Sequence, residues 1–295
     1  MTGVQTCALP ILGRTKTVLL LQITASILNV ILNPILIYHF ELGIGGAALA
    51  TGISQAVAMI IGLIIISRSY QFQRKDFMPN HALSRIAKVG LPMCWGTLLF
   101  AFGYWMLLNL VISPLGPAIN AALGIGFSVL EGFTWPVFWG FSMAVASLVG
   151  GYIGAQQLPL ARRVIQLSLI LMTCSGLVAS AIFWFAAEPL CRLFTQDAEV
   201  LNQAIIYAQV LAFSQLFIAY EALAEGILSG AGATRTILRW SAPLNLLRIP
   251  LGWLFAIHYD YGAAGVWWVI NVTTLIKALG KWRAVQSGEW KHLKI

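Results

Sequence analysis

Charged residues are scarce in this chain of 295 residues, making up 9% of it, while hydrophobic residues make up 59%. Soluble domains carry about 25% charged residues. Ten acids and eighteen Lys and Arg are therefore too few to cover a soluble globule of this size. The composition argues against a soluble enzyme and against a disordered or fibrous chain. The class that remains is a helical protein that crosses the lipid bilayer several times.

Cysteines are few, and catalytic motifs are missing. The four cysteines show no C-x-x-C or Cys/His spacing, so they indicate neither a metal site nor a disulfide framework. The sequence has no GxSxG, HExxH or Walker motif. We therefore expect no enzyme activity, no catalytic residue, no metal and no nucleotide. The net charge is +8, but the bases form short clusters between apolar stretches, which argues against a nucleic-acid partner.

Eight stretches are long and apolar enough to cross a membrane, which needs about 20 mostly apolar residues. We therefore predict an all-α, polytopic membrane protein with eight transmembrane helices. The stretches are approximately Val18–Tyr38, Ile44–Ile66, Gly90–Ile112, Ile119–Val149, Val164–Ala187, Ala204–Leu228, Ile237–His258 and Gly262–Leu279. The fourth could hide two spans, but the charge pattern favours one long helix, kinked or tilted at Pro136.

The connections between these stretches differ sharply in charge. Sixteen of the eighteen Lys and Arg, Lys277 and Lys281 among them, fall before the first span, in alternate connections, or at the end of the chain. Arg192 lies on the opposite side and Arg248 inside a span. This alternation follows the positive-inside rule. It predicts a multi-pass protein of the cell (inner or plasma) membrane with both termini in the cytoplasm.

An internal repeat indicates the architecture. Leu28–Tyr38 is similar to Leu244–Leu254, and each contains an Asn five residues before a Pro. A Gly-x-x-Gly follows each segment, at Gly43 and Gly46 and at Gly262 and Gly265, if a three-residue gap is placed in the connecting loop. The repeat predicts a two-lobe protein of two six-helix units, with the first four helices absent from this chain. The alternative is that Pro and Gly recur in any membrane hairpin.

The repeat divides the chain into five segments. The first twelve residues resemble neither a signal peptide nor a natural lead into a span, so they are interpreted as a non-native start. Residues 13–67 are predicted to be the last two helices of the N-terminal lobe, and 68–89 a cytoplasmic linker. Residues 90–284 form the complete six-helix C-terminal lobe, and 285–295 a cytoplasmic tail.

Ionisable residues inside a membrane are costly and indicate a functional site. Glu131 lies near the middle of the fourth span. A carboxyl group in a low-dielectric cavity retains a proton that it would lose in water, and its ionised form attracts cations. Glu131 is therefore the first candidate for a group that exchanges a proton or Na⁺ for a cationic substrate. The alternative is a carboxylate paired permanently with Arg248 for packing.

Three further charged residues share the later spans. Glu221 and Glu225 lie four residues apart on the sixth span, hence on one helical face. Glu221 is interpreted equally as a binding residue or as a structural partner of Arg248, and Glu225 as a solvated interface position. Arg248 stays charged and requires a partner, which we place in the sixth span. A structural clamp is preferred over substrate contact.

Other polar groups give weaker indications. Tyr104 and Asn109 in the third span are candidate cavity-lining residues, although buried Asn more often forms a hydrogen bond between helices. Pro136 frees a backbone carbonyl close to Glu131, which predicts a hinge there. A small amphiphilic or cationic substrate and the lipid bilayer are the expected partners.

The chain resembles the multidrug and toxin extrusion (MATE) family, as helices five to twelve of a twelve-helix transporter. The segments that carry the resemblance are LNVILNPILIY, LGIGGAALATGIS, VGLPMCWG, AALGIGF, LVGGYIGAQQLPLARRV, EGILSGAGATRT, LNLLRIPLGWLF and GAAGVWW. The resemblance also implies acids at two sites where this chain has Phe100 and Ile218. Those two family sites are absent here, and Glu221 lies one turn from Ile218.

The function implied by the resemblance is secondary active antiport. Organic cations or other amphiphilic drugs would leave the cell in exchange for H⁺ or Na⁺, with no other cofactor. We expect the chain to be inactive as a fragment, because the missing helices would form half of the cavity wall. The alternative is a lipid-linked saccharide flippase of the same superfamily, which would favour a large basic cavity.

Overall fold

In a computed structural model, the described residues are 15–69 and 81–291, and they form helices joined by short turns. The expected non-native start and part of the expected linker lie outside these residues, as does the end of the tail. The chain divides into two compact units, one up to Asn80 and one from His81 onward.

The first unit contains a helical hairpin. Helix α1 spans Thr15–Pro34 and continues as a π-helical segment, Ile35–His39. A tight turn leads into α2, Gly43–Ser69. A hydrogen bond joins the two helices, donated by the amide of Asn29 to the Thr51 hydroxyl at 3.1 Å. Asn29, which is half-buried, therefore forms a hydrogen bond between the two helices of this hairpin.

The second unit contains the remaining helices. They are α3 (His81–Leu107), α4 (Pro117–Ile125), α5 (Gly132–Gly154), α6 (Leu158–Phe185), α7 (Ala187–Cys191), α8 (Ala198–Gly230), α9 (Thr234–Trp253) and α10 (Gly262–Ser287). Helix α3 runs into the π-helical segment Leu108–Ile112, and α9 into Leu254–His258.

Helix α8 lies at the centre of this unit and packs against α5, α6 and α10. Its start is defined by Asp197, whose carboxylate accepts backbone hydrogen bonds from Glu199 and Val200 at 2.9 and 3.0 Å. Small residues allow the close packing against α5. A β-carbon on Gly226 would collide with the α5 backbone at Ser142, and one on Gly230 would collide with it at Ala146.

Seven helical stretches among the described residues are long and apolar enough to cross a membrane. They include the fourth predicted stretch as one continuous helical segment, Pro117–Gly154, so the expectation of one long helical stretch there rather than two is confirmed. The seventh predicted stretch is helical, as α9 and its π-helical continuation, but is not among the seven. Helix α9 contains three arginines and two prolines, which lower the hydropathy of this segment.

The irregular part of the fourth stretch is the π-helical segment Gly126–Glu131, which joins α4 to α5. It ends five residues before Pro136, which lies inside α5. The ring of Tyr207 on α8 fills the space that a side chain on Gly126 would need. Departures from α-helical bonding of this kind are frequent at functional sites. Here the segment places Glu131 opposite Tyr207.

The predicted repeat is present in the backbone of two turns. Glu41 and Asp260 have positive φ angles of 53° and 58°, and Gly43 and Gly262 have 52° and 56°. Two backbone hydrogen bonds close each turn. In the first turn the N–H groups of Phe40 and Leu42 donate to the carbonyls of Ile35 and Leu36. In the second turn the N–H groups of Tyr259 and Tyr261 donate to the carbonyls of Leu254 and Phe255.

The expected gap in the connecting loop is wrong. Each residue of the first turn has its equivalent 219 positions later in the second turn. This offset is the same at the start of the turn, where Ile35 matches Leu254, and at its end, where Gly46 matches Gly265. His39 therefore matches His258, and Glu41 matches Asp260. Continued along the helices, this register pairs Asn29 with Arg248 rather than with Asn245. The Asn–Pro spacing had suggested a different alignment because it is the more conspicuous sequence pattern.

Candidate functional site

A cavity of about 380 Å³ lies inside the second unit. Helices α3, α5, α8, α9 and α10 and the Gly126–Glu131 segment contribute to its wall. Aromatic side chains form much of the lining: Phe100, Tyr104, Phe127, Trp135, Phe138, Trp139, Tyr207 and Trp267. Five charged residues also line it: Glu131, Glu221, Glu225, Arg248 and Lys277. Aromatic walls with a few charged groups are typical of sites for amphiphilic small molecules.

Glu131 is buried in the wall of this cavity, with 7% of its surface exposed. Its carboxylate accepts a hydrogen bond of 2.9 Å from the Tyr207 hydroxyl. Among the described residues it has no ion-pair partner within 4.0 Å, so the alternative of a permanent pair with Arg248 is wrong in this structure. A single neutral donor leaves the carboxylate able to bind a proton or a cation from the cavity.

Glu221 and Glu225 are paired with two lysines of α10 that the sequence analysis counted among the cytoplasmic basic residues at the end of the chain. The ammonium groups of Lys277 and Lys281 lie 3.0 and 2.7 Å from the Glu221 carboxylate, and Lys281 also pairs with Glu225. Lys281 is fully buried. The predicted solvated position of Glu225 is wrong, and both lysines belong to the helix bundle.

A signal for this cluster was present in the sequence. Glu221 and Glu225 are four residues apart on α8, and Lys277 and Lys281 are four apart on α10, so each pair occupies one helical face. The predicted eighth span ended at Leu279, whereas α10 continues to Ser287. Lys281 falls beyond that predicted end and Lys277 two residues before it, so both were counted with the basic residues that close the chain.

Arg248 is 8% exposed and lines the cavity. Its Nε donates to the Thr273 hydroxyl and a terminal nitrogen donates to the Thr274 hydroxyl, each at 2.8 Å. The expected partner in the sixth span is wrong: both partners lie on α10, and the α8 acids are bound to lysines. The guanidinium joins α9 to α10 through neutral groups.

The three remaining candidates have different positions. Tyr104 lines the cavity, as expected. Asn109 does not line it: the residue is exposed, and its amide donates to the Trp105 carbonyl one turn earlier, at 2.8 Å. Pro136 is exposed on α5, and its role as a hinge stays a prediction. Sequence reasoning missed Tyr207, Thr273, Thr274, Lys277 and Lys281 as site residues.

The MatE family model matches residues 92–254, which is more than half of the chain. The chain is similar to the probable multidrug resistance protein NorM of Thermotoga maritima, with 27% identity over 292 residues. That alignment covers 95% of this chain and 61% of the relative. The multidrug export protein MepA of Staphylococcus aureus (strain NCTC 8325 / PS 47) is 27% identical over 260 residues, which cover 85% and 56% of the two proteins.

The fold is shared with solved transporter structures. One is the Vibrio cholerae MATE transporter VcmN in its bent form, with a TM-score of 0.73 and 24% identity, over 90% of this chain and 61% of that one. The chain thus spans about six tenths of the length of the relatives it matches. These findings establish that the chain belongs to the MatE family, the multidrug and toxin extrusion proteins, which are membrane transporters and not enzymes.

Proposed function

We propose that the chain forms the substrate-binding part of a secondary antiporter that exports organic cations or other amphiphilic molecules in exchange for H⁺ or Na⁺. The observation that carries this proposal is the Glu131 carboxylate, buried at the cavity wall with Tyr207 as its hydrogen-bond partner. The relatives named for multidrug resistance and export support it at the level of the family.

Exchange follows from the chemistry of one carboxylate in an apolar site. A protonated Glu131 is neutral and gives no charge to attract a cation. An ionised Glu131 is costly in an apolar cavity unless a cation compensates it. Proton and organic cation therefore compete for one group, and a gradient of one drives movement of the other. The Tyr207 hydroxyl can remain a donor to the carboxyl group in both states.

The aromatic wall supports a cationic, amphiphilic ligand. Trp135, Trp139 and Tyr104 all line the cavity. An organic cation over an aromatic face gains about 0.5–2 kcal/mol from the ring quadrupole, with more when water is excluded. The apolar body of the ligand gains from burial at the same time. Recognition of this kind depends on shape only loosely, which suits substrates of varied structure.

The proposed topology has α9 and its continuation, Thr234–His258, as an eighth crossing in addition to the seven apolar stretches. Its matching partner in the repeat, α1 with Ile35–His39, is among the seven. The prolines and arginines that lower its hydropathy include Arg248, which lies in the cavity wall rather than on a lipid-facing surface. Eight crossings would put both termini on one side of the plasma membrane, and the distribution of Lys and Arg supports the cytoplasmic side.

A flippase for a lipid-linked saccharide is the second candidate. It is favoured by one observation, that Lys277 lines the cavity together with Arg248, so that the basic lining exceeds what the sequence suggested. The two candidates differ in the charge of the ligand. Tight binding of an anionic saccharide lipid, with no measurable binding of organic cations, would favour the flippase.

Binding of ethidium, a planar fluorescent cation, tests the proposed function. We expect the chain in phosphatidylcholine nanodiscs to bind ethidium more weakly as pH falls, or as Na⁺ is added, because either ion competes for Glu131. We expect Glu131→Gln to weaken binding at least tenfold, and Glu199→Gln, an exposed acid at the start of α8, to leave it unchanged. Equal affinity of wild type and Glu131→Gln would refute the assignment.

A further inference from the structure

Arg248 presents a buried positive charge that no acid of the described chain neutralises at close range. Its guanidinium donates hydrogen bonds to the neutral hydroxyls of Thr273 and Thr274, and no carboxylate lies within 4.0 Å among the described residues. A guanidinium has five N–H donors, of which the two hydroxyls occupy two. Because arginine does not deprotonate in proteins, the cost of burying its charge remains unless an anion supplies the balance.

The neighbouring acids are already occupied. Glu221 and Glu225 are balanced by Lys277 and Lys281 in a cluster of two acids and two bases between α8 and α10. Glu131 is hydrogen-bonded to Tyr207. With these two acids and two bases paired, Glu131 and Arg248 are the acid and the base of the cavity wall that have no ion partner within 4.0 Å among the described residues.

The same part of the wall contains a second unsatisfied polar group. Asn245 lies three residues before Arg248 on α9, hence on the same helical face, and both residues line the cavity. The Asn245 side-chain oxygen is buried and has no hydrogen-bond partner among the described residues. Buried polar atoms in proteins are nearly always paired. The Asn245 oxygen can only accept, so it requires a hydrogen-bond donor, such as an N–H or O–H group of a polar ligand, whereas Arg248 requires an anion. A polar ligand with groups of both kinds would suit this side of the cavity.

We propose that Arg248 is an anion subsite, which binds a carboxylate or phosphate oxygen group of the ligand through its guanidinium. Together with Glu131 and the aromatic wall, this subsite makes the preferred ligand a zwitterionic amphiphile rather than a simple cation. The inference rests on the proposed function, since it takes the cavity to be the ligand site. The planar guanidinium suits both oxygens of a carboxylate at once.

A pair of dyes that differ by one ester isolates the subsite. Rhodamine 110 has a free carboxylate, and rhodamine 123 is its methyl ester, with the same cationic ring system. We expect wild type in phosphatidylcholine nanodiscs to bind rhodamine 110 more tightly by about tenfold or more, as for a charge-assisted hydrogen bond. This comparison needs no variant, and empty nanodiscs correct for dye dissolved in lipid.

Variants assign the preference to Arg248. Arg248→Gln should reduce the preference for rhodamine 110 to less than twofold, and Arg248→Lys should retain part of it. Arg239→Gln, at an exposed position on the same helix, should retain all of it. Glu131→Gln should weaken both dyes by a similar factor and leave the preference intact.

Three results would overturn the anion subsite. Equal affinity of wild type for the two dyes would do so while leaving the proposed function standing. An unchanged preference in Arg248→Gln would show that another group binds the carboxylate. No binding of either dye would reject both the subsite and the proposed function. If anionic phosphatidylglycerol in the nanodisc competes with rhodamine 110 on wild type but not on Arg248→Gln, the subsite is confirmed and a lipid phosphate is one of its ligands.

Discussion

The hairpin of α1 and α2 and the hairpin of α9 and α10 have the same turn. They differ in the side chains that their two helices carry at matching positions. In the shared register, Asn29, Ala58 and Gly62 of the first match Arg248, Lys277 and Lys281 of the second. Both hairpins use a polar residue of the first helix to donate to a threonine of the second. The first hairpin uses a neutral amide, whereas the second uses charged groups.

This difference separates what maintains the fold from what makes the site. The turn depends on backbone geometry: two consecutive closing hydrogen bonds, positive φ angles, and a glycine where the helix returns against the previous one. The same turn is found with neutral side chains between the helices of the first hairpin and with charged ones in the second. The charged residues of the second hairpin instead meet a cavity and the acids of α8. They are therefore the part of the repeat that contributes to the cavity wall and to its ion pairs.

The largest expected effect concerns Lys281, which has Gly62 as its counterpart. Lys281→Met would leave Glu221 and Glu225 buried with one lysine instead of two. Breaking a buried pair by removing one partner costs about 3–5 kcal/mol, and we expect that loss in the free energy of unfolding, measured by SDS titration in micelles. Arg283→Met, at an exposed position of α10, is the control and should change it by less than about 0.5 kcal/mol.

A smaller effect should distinguish the two turns. The first side-chain carbon of Gly46→Ala would lie 2.6 Å from the Leu36 carbonyl oxygen, while in Gly265→Ala the nearest atom, the Phe255 carbonyl carbon, would be at 3.0 Å. We expect Gly46→Ala to cost about 1–3 kcal/mol from crowding, and Gly265→Ala to cost less.

Hydrogen exchange of backbone amides in each hairpin would measure the two losses. Gly45→Ala is the matched control, because no atom lies within 4 Å of its added carbon, and it should leave exchange unchanged or slightly slower. A greater loss in Gly265→Ala than in Gly46→Ala would mean that the turns differ in the opposite sense.

The smallest effect should be equal in the two hairpins. Glu41 and Asp260 have left-handed backbone conformations, which cost L-residues with a side chain about 1–2 kcal/mol. Glycine removes that cost but loses more entropy on folding, so Glu41→Gly and Asp260→Gly should each stabilise the chain by about 0.5–1 kcal/mol. Thermal unfolding in detergent tests this, and destabilisation by either substitution would contradict the shared turn geometry.

The helices and the two similar turns could be predicted because each is a local property of the sequence. Long apolar runs mark helices whatever they pack against, and Gly43 and Gly262 mark turns by their own backbone freedom. Glu131 was found for a similar reason: an acid in the middle of an apolar run is conspicuous without a partner.

The ion pairs could not be predicted in the same way because they depend on which helices meet. Lys281 follows an apolar run and precedes a basic terminus. Its four-residue spacing from Lys277 marks a shared helical face but does not show that α8 buries that face. Arg248 was assigned to an acid on grounds of charge, whereas the structure satisfies it with the hydroxyls of Thr273 and Thr274. Asn109 was a candidate for the cavity lining but lies outside it. Its amide donates to a carbonyl of its own helix, as a polar residue in a span can do without any partner helix.

The central claim, that Glu131 exchanges a proton for a cationic ligand, is tested most directly by counting protons released when ethidium binds. In weakly buffered, sodium-free solution with a pH indicator, wild type should release up to about one proton per bound ethidium as Glu131 ionises. Glu131→Gln should bind more weakly and release none, with Glu199→Gln behaving as wild type. The same release from Glu131→Gln and wild type would contradict the account.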